Sequence, residues 1–334
     1  MTNNMEKYSD YRHKLGYYTL PGIMYEIPNP NDLEKLDKLI SKDQLYNDTN
    51  SCGFGFILNE DGSVKSDVNY YKFQDRQLIS CTYDVSENLD KLGIAYNLIS
   101  DKEVIVQVEG YASSKFASMF YEYDIMALQF THMVTASIPD IDGPVYMARM
   151  GYTGEYGFQF ILNKEDLLEF ETNYLQKAQA KAINHDVIDY TSFEMLQPVN
   201  SIIQKNKQYS LSDLNYGWNL DFLKDDFQGK GAAKEQALNS KVLSIGFRTT
   251  ADNLSVGDSI YFDKKCIGKI LVLFKSLDTD NPGFLGSAIV EKKYACSGIT
   301  FATDKGALKT ISAPYVVPVS WSDRVEKSGG GIES

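Results

Sequence analysis

The sequence predicts an α+β chain that closes with an all-β domain, and three observations carry that prediction. Between Cys52 and Tyr83, three strand-like runs follow one another across turns, and in the second of them apolar and polar residues alternate at period two. Up to Lys241, such runs are interleaved with segments whose apolar residues recur at helical spacing. After Lys241 the helical spacing stops, and the short apolar runs 242–247, 259–262, 268–274 and 286–290 follow, separated by turns over about 80 residues.

In chain order, Asn31, Asp32, Leu33 and Glu34 open a short amphipathic helix. Asn31 is the expected cap, Glu34 takes the capping-box position, and Leu33, Leu36, Leu39 and Ile40 form the buried stripe. Polar residues 41–51 make a loop. A three-stranded meander follows over 54–58, 64–73 and 77–83, its first turn at Asn59-Glu60-Asp61-Gly62. In its middle strand, alternation places Val64, Ser66, Val68 and Tyr70 on one face and Lys65, Asp67, Asn69, Tyr71 and Phe73 on the other. The second face aligns a carboxylate, an amide and a phenol. Two readings of it stay open on the residues alone: the solvated face of an edge strand, or a polar row facing a ligand. Helices are expected over 86–92, 112–120 and 231–238, another near Asn163 with Leu167, Leu168, Phe170 and Leu175, and a strand over 103–108. The tail from Glu326, with Ser328-Gly329-Gly330-Gly331, reads as flexible.

Composition narrows the function classes. A formal net charge of −12 disfavours nucleic acid and anionic membrane as partners, because both attract basic surfaces. The first thirty residues hold no uninterrupted apolar stretch, so neither a secretory leader nor a membrane span is expected and the cytoplasm is the expected location. Cys52, Cys81, Cys266 and Cys296 form no C-x-x-C pair and lie among small or apolar neighbours, which predicts buried free thiols. With His13, His132 and His185 the only histidines, no metal site and no histidine-based nucleophile motif is expected.

The most informative segment is Ala148-Arg149-Met150-Gly151-Tyr152-Thr153-Gly154-Glu155-Tyr156-Gly157-Phe158. Glycines three residues apart permit left-handed backbone angles and close approach of main chain to a ligand or to another strand. The apolar runs on either side read as strands, so the segment is either a turn between them or a ligand loop.

This segment resembles the Ser-Arg-Thr-Gly-Tyr-Thr-Gly-Glu-Asp-Gly-Phe stretch of the aminomethyltransferase family, whose type member is the T-protein of the glycine cleavage system. Other landmarks fall in the same order. Leu58-Asn59-Glu60-Asp61-Gly62 through Asp67 to Tyr71 looks like the family's Leu-Asn-Glu-x-Gly-Gly-x-x-Asp-Asp-x-x-x-Tyr hairpin, and Val108-Glu109-Gly110 looks like its Gln-Gly-Pro turn. Leu223-Lys224-Asp225-Asp226-Phe227-Gln228-Gly229-Lys230 is similar to its Lys-x-Asp-Phe-x-Gly-Lys stretch, and the resemblance runs from about residue 12 to residue 322.

The resemblance implies a three-subdomain cloverleaf around a central channel, with a C-terminal β-barrel. Residues 1–240 would form the folate-binding-like α+β region, with about 46–135 an inserted subdomain, 241–322 the barrel and 323–334 a flexible tail. It implies tetrahydrofolate as cofactor and transfer of an aminomethyl or methyl group from a small amine or ether donor, with a lipoyl-carrier protein as a possible partner. Asp67 would be the catalytic carboxylate, stabilising a cationic amine or iminium in a water-poor channel and able to take up a proton. Tyr71, Tyr152 and Gln159 would line the pterin, with Phe54, Gly151 and Gly154 completing the cofactor-binding set.

Departures from the family pattern point to a divergent member. Where the family has a glutamate facing the pterin, Gln159 offers a single acceptor, and losing one charge-assisted bond costs about 1–3 kcal/mol, roughly ten- to a hundredfold in affinity. A return to glutamate there is expected to tighten reduced folate. The family arginine that organises the folate site is replaced near Thr191, and the Asn-Ala-Ala-Asn segment is replaced near Thr82-Tyr83-Asp84-Val85. The Gly-Trp-x-Met-Pro region has no counterpart. These departures support an alternative of another class, a binding or scaffold protein that keeps the fold and has lost folate chemistry.

Overall fold

The alternating runs become strands and the helical segments become short helices in the computed structural model, which describes residues 2–322; the tail expected from Glu326 lies outside them. The chain divides into two units, one built from 9–184, 219–230 and the segment from Pro318, the other from the first residues to Tyr8, 185–218 and 231–317.

The first unit holds two sheets. Its strands are β1 (Gly16–Thr19), β2 (Ile23–Ile27), β3 (Ser51–Leu58), β4 (Val64–Lys72), β5 (Gln77–Cys81) and β6 (Asn97–Leu98). They continue with β7 (Glu103–Glu109), β8 (Met133–Ala136), β9 (Val145–Ala148), β10 (Gly157–Asn163) and β11 (Lys181–Ala182). The five-stranded sheet has the order β3-β4-β5-β2-β6, and the six-stranded sheet the order β11-β1-β7-β10-β9-β8. The predicted meander is β3-β4-β5, and β4 is interior to it, paired to β3 at Phe56↔Asp67 and Cys52↔Tyr71 and to β5 at Val68↔Cys81. The edge-strand reading of β4 is therefore excluded.

Both faces of β4 carry core. Val68 and Tyr70 pack with Leu36, Leu39, Ile40 and Ile79 on one side. On the other, Tyr71 and Phe73 pack with Cys52, Ile105, Met133, Ala148 and Ile161, a cluster drawn from both sheets. Each such fully buried apolar side chain contributes about 1.5–3 kcal/mol relative to exposure, so the polar residues sharing this face are held in a rigid frame.

The helix expected to be capped by Asn31 has its capping residue two positions earlier. A 3-10 turn, Pro30–Asp32, precedes the helix Leu33–Asp37, and the capping side chain is that of Asn29, which accepts from the Asn31 amide at 3.2 Å. Pro30 sets this start, since it lacks an N–H and its fixed φ suits the first helical position. The ammonium of Lys224 ends the helix by donating to the carbonyls of Asp37, Ile40 and Lys42 and pairing with the Asp37 carboxylate at 3.0 Å.

The second unit carries a closed barrel of β12 (Val242–Thr249), β13 (Ser259–Phe262), β14 (Lys265–Lys275), β15 (Phe284–Glu291), β16 (Thr300–Thr303) and β17 (Gly306–Ile311). Its core includes Phe247, Ile260, Ile270, Val290, Phe301 and Leu308. Strands β16 and β17 carry few inward apolar residues besides Phe301 and Leu308, so alternation alone does not announce them. This unit also holds the helix His185–Glu194, whose buried stripe of Val187, Tyr190, Thr191 and Glu194 is half polar. Of the cysteines, Cys52 and Cys81 are buried as expected, but Cys266 and Cys296 are exposed, since both lie on hairpin or loop positions of the barrel that face outward. No helix among the described residues is long and apolar enough to cross a membrane.

Candidate active site

Asp67 lies on the odd-numbered face of β4, just beyond the pairing of that strand with β5. Its carboxyl takes hydrogen bonds from the Thr82 hydroxyl and its own backbone N–H, yet burial outweighs them and holds its pKa above the usual carboxylate range. The side chain is only partly covered, so this acid retains access to whatever occupies the face.

Two and four residues further along the same face, Asn69 and Tyr71 enter a hydrogen-bond network that crosses from one sheet to the other. The Tyr71 hydroxyl donates to Gln159 Oε1 at 2.8 Å, and Gln159 Nε2 donates to Gln107 Oε1 at 2.8 Å and to the Tyr152 hydroxyl at 3.3 Å. Tyr152 in turn donates to Asn69 Oδ1. Gln107 Nε2 closes the far end by donating to the carbonyls of Met150, at 2.8 Å, and Phe158, at 3.5 Å. Gln159 and Gln107 are both fully buried, and the acceptor and both N–H groups of Gln159 have protein partners. Phe54, opposite Asn69 on β3, sets its ring edge-on to Tyr152 at 6.2 Å between centroids.

The glycine segment owes its form to internal packing. A Cβ on Gly157 would lie 2.6 Å from the Gly151 Cα and 2.7 Å from the Met150 carbonyl oxygen, and one on Gly151 would lie 2.9 Å from Glu109 Oε2. Gly154 has φ +80°, which turns the chain between them. Beneath the turn, Glu109 is fully buried, and its Oε2 accepts from the Tyr152 and Thr153 amides, each at 3.0 Å, and from the Thr153 hydroxyl at 2.7 Å. Its Oε1 accepts from the Tyr11 hydroxyl at 3.1 Å. Burial pushes the Glu109 pKa up and these donors pull it back. On the other side of the turn, Glu155 accepts from the Val319 and Ser320 amides at 2.9 and 3.0 Å and lies 3.5 Å from Arg12, which also donates to the Thr153 carbonyl.

The structure thus joins Tyr71, Tyr152 and Gln159 in one network, seats Phe54 against it, and puts Asp67 on the same strand face. Gly151 and Gly154 shape the loop from within. Thr191, where the expected arginine is replaced, donates its hydroxyl to the Val187 carbonyl of its own helix at 2.9 Å. Cys52, opposite Tyr71, has its thiol pushed up to about 12 by burial and is no nucleophile. Two contributors were not anticipated, Gln107 and Glu109. A signal for them exists: in Val104-Ile105-Val106-Gln107-Val108-Glu109 the two polar residues fall at period two, placing both on one face of an otherwise apolar strand.

Comparison with known proteins shows what this chain resembles. A family model described as the GCVT N-terminal domain matches residues 24–190. An aminomethyltransferase of Alkaliphilus metalliredigens is 26% identical over 288 residues, covering 81% of this chain and 76% of the relative. Another, from Clostridium botulinum strain Loch Maree, is 24% identical over 319 residues, covering 87% of this chain and 82% of the relative. Among solved structures, the glycine cleavage system aminomethyltransferase T of Bartonella henselae superposes with a TM-score of 0.77 at 16% identity, covering 94% of this chain and 90% of that one, which shows a shared fold.

Proposed function

We propose a reaction for this chain from one premise: the chain belongs to the GCVT N-terminal domain family. The reaction is transfer of a one-carbon unit, aminomethyl or methyl, from a small amine or ether donor to tetrahydrofolate, the donor being free or presented on a lipoyl-carrier protein. The observation that carries it is Asp67, a partly covered acid whose pKa burial raises, fixed on a strand face it shares with Asn69 and Tyr71.

The chemistry of that face fits a flat ring bearing a nitrogen that becomes cationic. Phe54, Tyr152 and Tyr71 supply flat side chains, and Asp67 supplies the acid. Tetrahydrofolate, when bound, supplies the nitrogen that accepts the one-carbon unit. Asp67 in its ionised form stabilises positive charge developing on an adjacent nitrogen and can take up a proton from it, and burial, by raising its pKa, makes it a better proton acceptor than an exposed carboxylate. Thr82 orients the carboxyl. Asn69 and Gln159 fix the Tyr152 ring through its hydroxyl.

A second reading, a binding or scaffold protein of the same fold without folate chemistry, is favoured by Gln159. Its amide is engaged on both sides by Tyr71, Tyr152 and Gln107, so it presents no charged acceptor to a ring. Calorimetric titration with 5-formyltetrahydrofolate separates the two. Micromolar one-to-one binding, with transfer lost in Asp67→Asn, supports the transferase; absence of binding up to about millimolar supports the scaffold.

A further inference from the structure

We infer that Glu109 is a positioning residue for Tyr152, setting from beneath the glycine turn where that ring stands relative to the face carrying Asp67. Three observations converge on it. First, Oε2 gathers three donors from two consecutive residues, the Tyr152 N–H, the Thr153 N–H and the Thr153 hydroxyl, at 3.0, 3.0 and 2.7 Å. An acceptor shared by successive amides fixes the backbone on both sides of the Tyr152 Cα, and so the direction in which its side chain leaves the loop.

Second, the loop is shaped to admit this carboxyl. Cβ atoms at positions 151 and 157 would approach Glu109 Oε2 to 2.9 Å and Glu109 Cγ to 3.1 Å, so the two glycines leave the space the acid fills. Third, the Tyr152 hydroxyl reaches across to Asn69 Oδ1 on β4 and accepts from Gln159 Nε2. A continuous path therefore leads from Glu109 through the Tyr152 backbone and ring to Asn69, two residues from Asp67. Glu109 itself is enclosed, with four donors from Tyr11, Tyr152 and Thr153 on its carboxylate, so it acts through Tyr152.

The inference rests on the folate-transfer reading only for its choice of ligand, and its test has one arm that needs no ligand. Hydrogen exchange followed by mass spectrometry on the peptide spanning 151–156 compares the wild type with Glu109→Gln, which keeps the shape and one acceptor while removing the charge. The amides of Tyr152 and Thr153 should exchange about tenfold faster in the variant, with the barrel unchanged. In the second arm, 5-formyltetrahydrofolate is titrated into the wild type, Glu109→Gln, Tyr152→Ala and the double variant. Glu109→Gln should weaken binding by about three- to tenfold, and in the Tyr152→Ala background it should add nothing. A purely structural role would lower the melting temperature and the competent fraction but leave the dissociation constant of that fraction alone. Unchanged exchange at 152–153, or binding losses that multiply in the double variant, would overturn the inference. A wild type that binds no folate would instead sink the transferase reading, and the exchange result would still decide the role of Glu109.

Discussion

Glu109 and Asp67 are both acids whose pKa burial raises, yet they are satisfied in different ways. Glu109 is fully enclosed and receives hydroxyls and main-chain amides from Tyr11, Tyr152 and Thr153. Asp67 keeps part of its surface open and is held by the Thr82 hydroxyl and its own N–H. The direction of the pKa shift therefore does not separate a supporting acid from the one proposed to react; the two differ in access. A carboxyl surrounded by protein donors organises a loop, whereas one on a strand face with residual access remains available to a substrate nitrogen.

The comparison is broken most severely at Asp67. Asp67→Asn preserves an acceptor for Thr82 and should lower transfer by about 10²–10⁴-fold, read as initial rates at saturating folate. Its stability effect should have the opposite sign. The folded-state pKa of Asp67 lies above the unfolded value of about 3.9, so the folded protein holds the proton to higher pH, and stability falls as pH rises through the interval between the two values. The variant, lacking this ionisation, should melt higher than the wild type at pH 7 and converge with it near pH 3. A variant that melts lower at pH 7 would show that Asp67 is a structural acid like Glu109. Removal of the other acid should produce the mirror image. Glu109→Ala leaves the Tyr152 and Thr153 donors buried without an acceptor and should destabilise its unit by about 3 kcal/mol or more, lowering its melting temperature by about 2–4 °C per kcal/mol.

The next effect in size tests the packing above Glu109. Gly157→Ala would force a Cβ to within 2.6 Å of the Gly151 Cα and 2.7 Å of the Met150 carbonyl oxygen, both main-chain atoms with little freedom to retreat. A loss of about 1–3 kcal/mol is expected in chemical denaturation. If the cost is near zero, the loop is softer than the enclosed acid requires.

How much of this the sequence disclosed depended on whether a signal was periodic or relational. The meander β3-β4-β5 and the first barrel strands follow from short runs bounded by turns, and the shared face of Asp67, Asn69 and Tyr71 follows from counting by two. The interior position of β5 does not, because the strand on its far side, β2, lies far upstream at Ile23–Ile27. The helix His185–Glu194 escaped notice because its inward stripe includes Thr191 and Glu194, whose burial depends on partners elsewhere: Glu194 accepts from the Tyr8 hydroxyl at 3.0 Å. Glu109 was visible only as part of a turn resemblance. Its four donors come from residues 98 positions before it and 43 to 44 after it, a relation that no local pattern encodes.

Gln159 offers the finest test, because a glutamate placed there could behave like either acid. As glutamine it donates to Gln107 Oε1 and the Tyr152 hydroxyl while accepting from Tyr71. In Gln159→Glu the new carboxylate would face the Gln107 oxygen, and relief requires Gln107 to turn its Nε2 inward, giving up the Met150 and Phe158 carbonyls at about 1 kcal/mol for each bond lost. Tyr71, a rotated Tyr152 hydroxyl and the turned Gln107 would then surround the carboxylate with protein donors, as happens at Glu109. The sequence alone favours tighter folate binding for this variant; the geometry favours a change of less than about threefold, measured by calorimetry with 5-formyltetrahydrofolate. A tenfold or greater gain would mean that the network opens and position 159 meets the ring, as Asp67 is proposed to meet its nitrogen.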